Sequence, residues 1–600
     1  MRQTSLLPAP FDTDVPRRYS LKYLSSRRSR YGVFVLTSIC ILFIYLHFAD
    51  SAFPPHAHHH GPAHETWEIV PGHHHSPTAP QHVRPETTPQ HNNPVAGPGQ
   101  GSPTKTEAGL WHTRAEAVKS AFRSSYLAYE QTAFPHDELR PLSGLWQDNL
   151  NGWGASMLDS IDTMILMDFD DLVERSVHHV SQLRLGETPM VQFFETVIRY
   201  LGGLLSAYAL TDNTIYLTHA DELGMLLMPI FNTTTGLPSF GLDLTTGTPR
   251  MGWMGSSAIL SEFTSCQMEF RYLAHLTGRA EYVKAVDHLT TFLTYHTEHG
   301  GLFPLHYLIQ DGSPTAYQFS VGAQADSAYE YLLKEWLMTG KTERRFLDMY
   351  LKSADAIIEH MLYISHTRKL LYVTDVTRPA LDPIHDFQHL SCFLAGLFAL
   401  GSVTIPNVDP RHAWAAEGLA HTCWITYADT ATGLGPESVR FDQGGKKWVD
   451  ELAVWEAQGK KDDVPGVKNA TPVEPGGATE YRVADSRYLL RPETIESFYL
   501  MWRTTGDSKW RDRGWALFEA IEKYAKVDSA YASVRDVRVA PPKHEDDLPS
   551  FFFAETLKYA YLLFNDKELI PLDKWVFNTE AHPIPIFTWS DWEKTHFGIH

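Results

Sequence analysis

The chain has 600 residues, 43% of them hydrophobic, and its 71 acidic and 51 basic residues leave a net charge of −20. That size admits two to four average domains or one large one, and the negative charge argues against nucleic acid or an anionic membrane surface as main partner. Four cysteines (Cys40, Cys266, Cys392 and Cys423) are too few for a disulfide-dense scaffold or a cysteine-rich zinc module.

In chain order, the first feature is Tyr31 to Ala49, which lacks Asp, Glu, Lys and Arg. A helix of that length just spans a hydrocarbon layer, so residues 31–49 are expected to form a transmembrane signal anchor. Arg17, Arg18, Lys22, Arg27, Arg28 and Arg30 precede it, and the next basic residue is Arg84. The positive-inside rule therefore places residues 1–30 in the cytosol and the rest in the lumen. A cleaved signal peptide is the rival reading, disfavoured by the long basic lead and the lack of a clear small-residue cleavage site. Residues 50–108 are rich in Pro, His, Gly and Thr. His58-His59-His60 and His73-His74-His75 invite a metal-binding reading, but no packed element orients the imidazoles, and a disordered stalk is expected.

Residues 109–600 read as helical. Glu195 to Leu210, Glu262 to Leu276, Ala325 to Met338, Glu493 to Thr505 and Phe551 to Phe564 are predicted helices, several of them apolar nearly all round and therefore buried. Thr277-Gly278 and Thr505-Gly506 end two of them. Helix, glycine turn and helix in repetition predict an all-α ring of hairpins. The 16 Trp, 27 Tyr and 31 Phe fit a large aromatic core or sugar-stacking faces. Asn232-Thr233-Thr234 and Asn469-Ala470-Thr471 are N-glycosylation sequons, which fit a luminal domain.

Acidic residues interrupt these apolar helices: Glu195, Asp326, Glu493 and Glu555. An unpartnered buried carboxylate costs several kcal/mol, so each must be paired, metal-linked or set in a wet cavity. Glu195 and Arg199, at i and i+4, are placed to pair. Glu493 and Glu496, at i and i+3, share a face, which raises one pKa unless a cation intervenes. Singly, each acid reads as a structural ion pair; together they suit glycoside hydrolysis, which needs one carboxylic acid and one carboxylate. No phosphate-cradling glycine loop, His-Glu-x-x-His or Gly-x-Ser-x-Gly elbow competes.

At these residues the chain resembles the class I α-1,2-mannosidases, family 47 of the glycoside hydrolases. The likeness covers roughly residues 111–586. It is carried by Met157-Leu158-Asp159-Ser160-Ile161-Asp162-Thr163, Phe194-Glu195-Thr196-Val197-Ile198-Arg199, Asp326-Ser327-Ala328-Tyr329-Glu330, Gly435-Pro436-Glu437, Leu490-Arg491-Pro492-Glu493-Thr494, Glu555-Thr556-Leu557-Lys558-Tyr559 and Phe577-Asn578-Thr579-Glu580-Ala581-His582. The resemblance implies an (α/α)7 barrel and inverting, Ca²⁺-dependent removal of terminal α-1,2-linked mannose from high-mannose N-glycans. The setting would be a single-pass type II protein of the endoplasmic reticulum or Golgi. It makes Glu195 the proton donor through a water and Glu493 the base, with Asp326 and Glu437 as further acids of the site. Thr579 would hold Ca²⁺ through its carbonyl and hydroxyl oxygens. Arg199, Glu269, Gln324, His389, Arg491, Glu496, Phe551, Glu555 and Glu580 would line the sugar pocket or carry the calcium's water shell. Cys392 and Cys423 would form a disulfide, and closing a loop of about 30 residues contributes on the order of 3–4 kcal/mol. Three positions depart from the family pattern: Gln324, which bears on branch choice, Leu548-Pro549-Ser550, and a polar insertion over Gly444 to Glu480. They motivate the alternative of a mannose-binding quality-control lectin of the same fold. A third reading, an adaptor on a degenerate barrel, predicts neither calcium nor glycan binding.

Overall fold

The computed structural model describes residues 105–467, 470–474 and 476–599. The expected cytosolic tail, anchor and nearly all of the stalk, with Cys40 and the sequon residue Asn469, lie outside the described residues. Among the described residues no helix is long and apolar enough to cross a membrane.

The principal helices are α1 (Lys105–Thr132), α2 (Ile161–Leu166), α3 (Asp170–Val180), α4 (Gly202–Thr211), α5 (Thr214–Leu227), α6 (Gln267–Thr277), α7 (Ala280–Tyr295), α8 (Asp326–Met338), α9 (Arg344–His360), α10 (Phe393–Thr404), α11 (Arg411–Ala428), α12 (Glu493–Thr505), α13 (Lys509–Tyr524) and α14 (Leu557–Phe564). They pack in hairpins: α2 with α3, α4 with α5, α6 with α7, α8 with α9, α10 with α11, α12 with α13, and α14 with α1. The first helices of these pairs also touch in order, α2 to α4, α6, α8, α10, α12 and α14, and the turn Phe552–Thr556 before α14 meets α2. They are the apolar elements: α10 is buried continuously from Phe393 to Gly401 and α14 along its whole length.

Local chemistry explains the boundaries. In α12, Pro492 precedes the first turn, where Glu493 and Glu496 face the positive end of the helix dipole, and Arg503 sits in the last turn. Gly506, at φ +70°, closes it in a left-handed conformation that suits glycine, and its N–H bonds the Trp502 carbonyl at 2.8 Å. Gly278 ends α6 likewise, at φ +73°.

The predicted helix from Glu262 to Leu276 is two helices, Leu260–Thr264 and α6. Between them Cys266 leaves the helical region at φ −134°, while the Ser265 hydroxyl bonds that of Ser327 at 2.7 Å. Helix α1 begins at Lys105, within the stretch assigned to the stalk. Short antiparallel strands, too brief to show a two-residue period, precede several inner helices; among them Val191–Gln192 pairs with Gly241–Asp243, and Ser257–Ile259 with His306–Leu308. The hairpin Trp575–Phe577/Pro583–Pro585 packs on α8 and α4 and carries Thr579 in its turn. Within the insertion, the helix Trp448–Ala457 packs on α9, and the Glu480 carboxylate accepts the N–H groups of Thr367 and Arg368 at 2.6 and 2.7 Å. Cys392 and Cys423 form a disulfide with Cα atoms 6.0 Å apart, tying α10 to α11, and Cys266 is a buried free thiol.

Candidate active site

The inner helices bring acids to their N-terminal ends. First turns carry Asp162 in α2, Glu269 in α6, Asp326 in α8, and Glu493 with Glu496 in α12. Glu195 and Glu555 stand at two π-helical segments, Thr196–Leu201 before α4 and Phe552–Thr556 before α14. Each such turn inserts a residue and re-aims the side chains around it, a frequent device at functional sites. An anion at a helix N-terminus gains about 0.3–1 kcal/mol from the dipole, which favours gathering acids at this end.

Two arginines hold four of the carboxylates. Arg199 Nε donates to Glu195 Oε2 at 2.7 Å, and its Nη1 reaches Glu580 and, at 3.2 Å, Asp159. Arg491 Nε donates to both oxygens of Glu437, at 2.7 and 2.9 Å. The half-buried Phe551 ring lies between the two, 5.8 Å from each guanidinium carbon.

Environment drives the buried acids apart. Burial, reinforced by the charges of Glu330 and Glu493, pushes Asp326 up to about 7 despite the Ser327 N–H it accepts at 2.8 Å. Glu493 moves the other way. Burial opposes its ionisation, but His389, whose Nδ1 lies 2.8 Å from Oε2, and Arg491 prevail and hold it below the ordinary range. His389 is fixed in turn by Tyr427, whose hydroxyl is 2.5 Å from Nε2. Three residues from Glu493, burial raises Glu496 to about 8, with Lys334 at 4.0 Å only partly offsetting it. Burial also raises Glu269 to about 7 and carries Glu555 and Glu580 well above the usual carboxylate value; Glu555 is pushed further by Glu580, Glu493 and Glu496.

Thr579 directly precedes Glu580 and connects to Glu269 through Tyr331. Its N–H points to the Tyr331 hydroxyl at 3.3 Å, and Tyr331 donates to Glu269 at 2.7 Å. The neighbouring Asn578 amide also donates to Glu269, at 2.8 Å, leaving Glu269 Oε2 buried without a partner. Among the described residues neither the hydroxyl nor the carbonyl of Thr579 makes a hydrogen bond. No three His, Cys, Asp or Glu side chains among the described residues form a direct metal-ligand group. The available donors, the free Thr579 oxygens and the nearby buried carboxylates of Glu269 and Glu580, are all hard oxygen and fit a partly hydrated Ca²⁺.

Gln324 adopts a left-handed backbone at φ +76°, its carbonyl accepts the Ser261 N–H at 2.9 Å, and its side-chain oxygen lies 2.6 Å from His306 Nε2.

A further buried network joins Asp159, Asp162, Lys558 and His582, residues for which the linear pattern indicates no role. Asp162, fully buried, receives Lys558 Nζ and His582 Nδ1 at 2.9 Å each, and His582 Nε2 lies 3.2 Å from Asp159. The signal was present, since these residues sit within the motifs quoted above, but nothing in a linear pattern pairs residues nearly 400 positions apart. Glu262 was also missed; burial and the Glu195 charge raise it to about 7.

Opposed carboxylates, one kept protonated and one kept ionised, at the ends of packed helical hairpins are the arrangement a glycoside hydrolase needs. The model of glycosyl hydrolase family 47 matches residues 121–586, and the chain belongs to that family. It is similar to human mannosyl-oligosaccharide 1,2-alpha-mannosidase IB, 36% identical over 482 residues that cover 79% of this chain and 70% of the relative. The mouse endoplasmic reticulum mannosyl-oligosaccharide 1,2-alpha-mannosidase is also 36% identical, covering 79% and 68%. The solved alpha-1,2-mannosidase from Trichoderma reesei superposes with a TM-score of 0.70 at 33% identity, covering 79% of this chain and 99% of that one.

Proposed function

We propose that the chain removes terminal α-1,2-linked mannose from high-mannose N-glycans, with inversion at the anomeric carbon and with Ca²⁺ as cofactor. The observation that carries this reading is the opposite displacement of Asp326 and Glu493: one keeps a proton to near neutrality, the other stays ionised. Glu493 takes a proton from the water that attacks C1 as the glycosidic C1–O bond breaks. Proton delivery to the leaving oxygen falls to Glu195 and Asp326. Glu195 would act through a water, as the resemblance implies, and the raised pKa of Asp326 supplies a proton at rest. Glu437 fixes Arg491 beside Phe551. His389 orients Glu493, and Phe551 offers an apolar face to the sugar ring. Thr579 would hold Ca²⁺, with Glu269, Glu496, Glu555 and Glu580 as acids available to its hydration shell, and the ion would supply polarisation of the sugar hydroxyls and of the nucleophilic water. Arg199 holds Glu195 and Glu580 in place. Gln324, tethered to His306, bears on which mannose branch enters.

The cyclic order of inner-helix contacts supports an (α/α)7 barrel over residues 109–600, and the charge pattern of residues 1–50 supports a type II anchor in the endoplasmic reticulum or Golgi. The relatives, named as mannosidases, favour turnover over the lectin alternative.

The purified protein is expected to release free mannose from a defined high-mannose glycan, and chelation is expected to abolish release until Ca²⁺ is restored. No release with Ca²⁺ present would sink the reading; the first product isomer reports branch choice.

A pH prediction follows. Asp326 is protonated below about 7, and Glu493 is ionised above a value lowered from the usual carboxylate range. kcat/KM is therefore expected to form a bell with its basic limb near pH 7 and its acid limb below about pH 4.5. A profile level between pH 4 and 9 would contradict these assignments.

A further inference from the structure

We propose that Asn232 carries an N-linked oligosaccharide, an inference that rests on the luminal placement proposed above. The sequon Asn232-Thr233-Thr234 follows a short helix, Met228–Phe231, beyond the end of α5. Phe231 anchors the segment inward, its ring 5.5 Å from Phe193 and 5.8 Å from Phe270. The chain then reverses: Asn232, at φ −78° and ψ 65°, is the centre of an inverse γ-turn closed by Thr233 N–H to Phe231 carbonyl at 2.8 Å.

Beyond the turn, exposure alternates. Asn232 and Thr234 are exposed, whereas Thr233 and Thr235 are half-buried. The inward pair is pinned: the Thr233 hydroxyl donates to the Leu237 carbonyl and the Thr235 hydroxyl to the Ile309 carbonyl, both at 2.7 Å, and His288 Nε2 lies 2.6 Å from the Thr235 carbonyl. The modifiable amide and the +2 hydroxyl thus share one outward face, and among the described residues neither has a hydrogen-bond partner. A glycan here displaces no packing contact, so the fold tolerates it.

The donor is a lipid-pyrophosphate-linked oligosaccharide. The Asn232 amide nitrogen forms a bond to the anomeric C1, the C1–O bond to the pyrophosphate breaks, the lipid pyrophosphate leaves, and one amide proton is lost.

The test translates the full chain with endoplasmic-reticulum microsomes, then applies external protease, peptide-N-glycosidase and peptide mass spectrometry. The expected result is a protease-protected chain with sugar on the Asn232 peptide, lost in Asn232→Gln and Thr234→Ala and retained in Thr234→Ser. A protected chain whose Asn232 peptide is bare overturns this site alone. A chain digested by external protease overturns the luminal placement and the site with it. Mannose release by the purified protein tests the catalytic reading separately.

Discussion

Glu493→Gln is expected to lower kcat for mannose release by about 10²–10⁴-fold, the usual contribution of a positioned general base, while KM changes by less than about tenfold. The substitution keeps the shape of the side chain and a hydrogen-bond partner for His389, whose Nδ1 lies 2.8 Å from Oε2. It removes the capacity to accept a proton from water. Because the Glu493 charge helps raise Asp326, any residual activity should also show its basic limb moved to lower pH. Single-turnover kinetics on one glycan isomer, with thermal unfolding as a control for folding, separates these effects. A Glu493→Gln enzyme with the parental kcat would remove Glu493 from the role of base.

The second large effect is structural. Lys558→Met is expected to destabilise the fold by about 3–5 kcal/mol, the range for breaking a buried ion pair by deleting one partner. Lys558 and Asp162 are both fully buried, with Nζ 2.9 Å from Oδ2 and 2.7 Å from the Ala581 carbonyl. Burial alone would raise the pKa of Asp162, yet Lys558 and His582 hold it at about 2. That depressed value means the stabilisation is present above the unfolded carboxylate pKa of about 3.9 and is lost as pH falls towards 2. The variant should therefore lose most stability at neutral pH and differ least from the parent in acid. Denaturant titration at pH 7 and pH 3 measures both. A double variant, Lys558→Met with Asp162→Asn, should lose less than the sum of the singles. A neutral Lys558→Met at pH 7 would show that the network contributes nothing to the fold. Ala581 lies in the turn that carries Thr579, so the same ion pair also braces the proposed cation position.

Particular residues show how far the linear pattern reaches. The Glu195–Arg199 pair follows from four-residue spacing on one helix and is found at 2.7 Å. The conflict between Glu493 and Glu496 follows from three-residue spacing, and the structure resolves it with His389 on one acid and a raised pKa on the other. The helix from Asp326 was legible because its apolar period is unbroken, whereas the break at Cys266 was not, because it depends on Ser327 in another helix. The π-helical turns at Glu195 and Glu555 leave no mark on apolar periodicity over so few residues.

The sequence by itself determined which segments become buried helices, where glycine ends them, and which acids are forced into apolar surroundings. All of these follow from spacing within a few turns. Only the tertiary structure decided which acid sits beside which cation. Asp162 meets Lys558 across 396 positions and His389 meets Glu493 across 104, contacts that exist only once the inner helices pack in order. The division between protonated and ionised carboxylates arises there as well, because a pKa is set by burial and neighbouring charge and not by position along the chain.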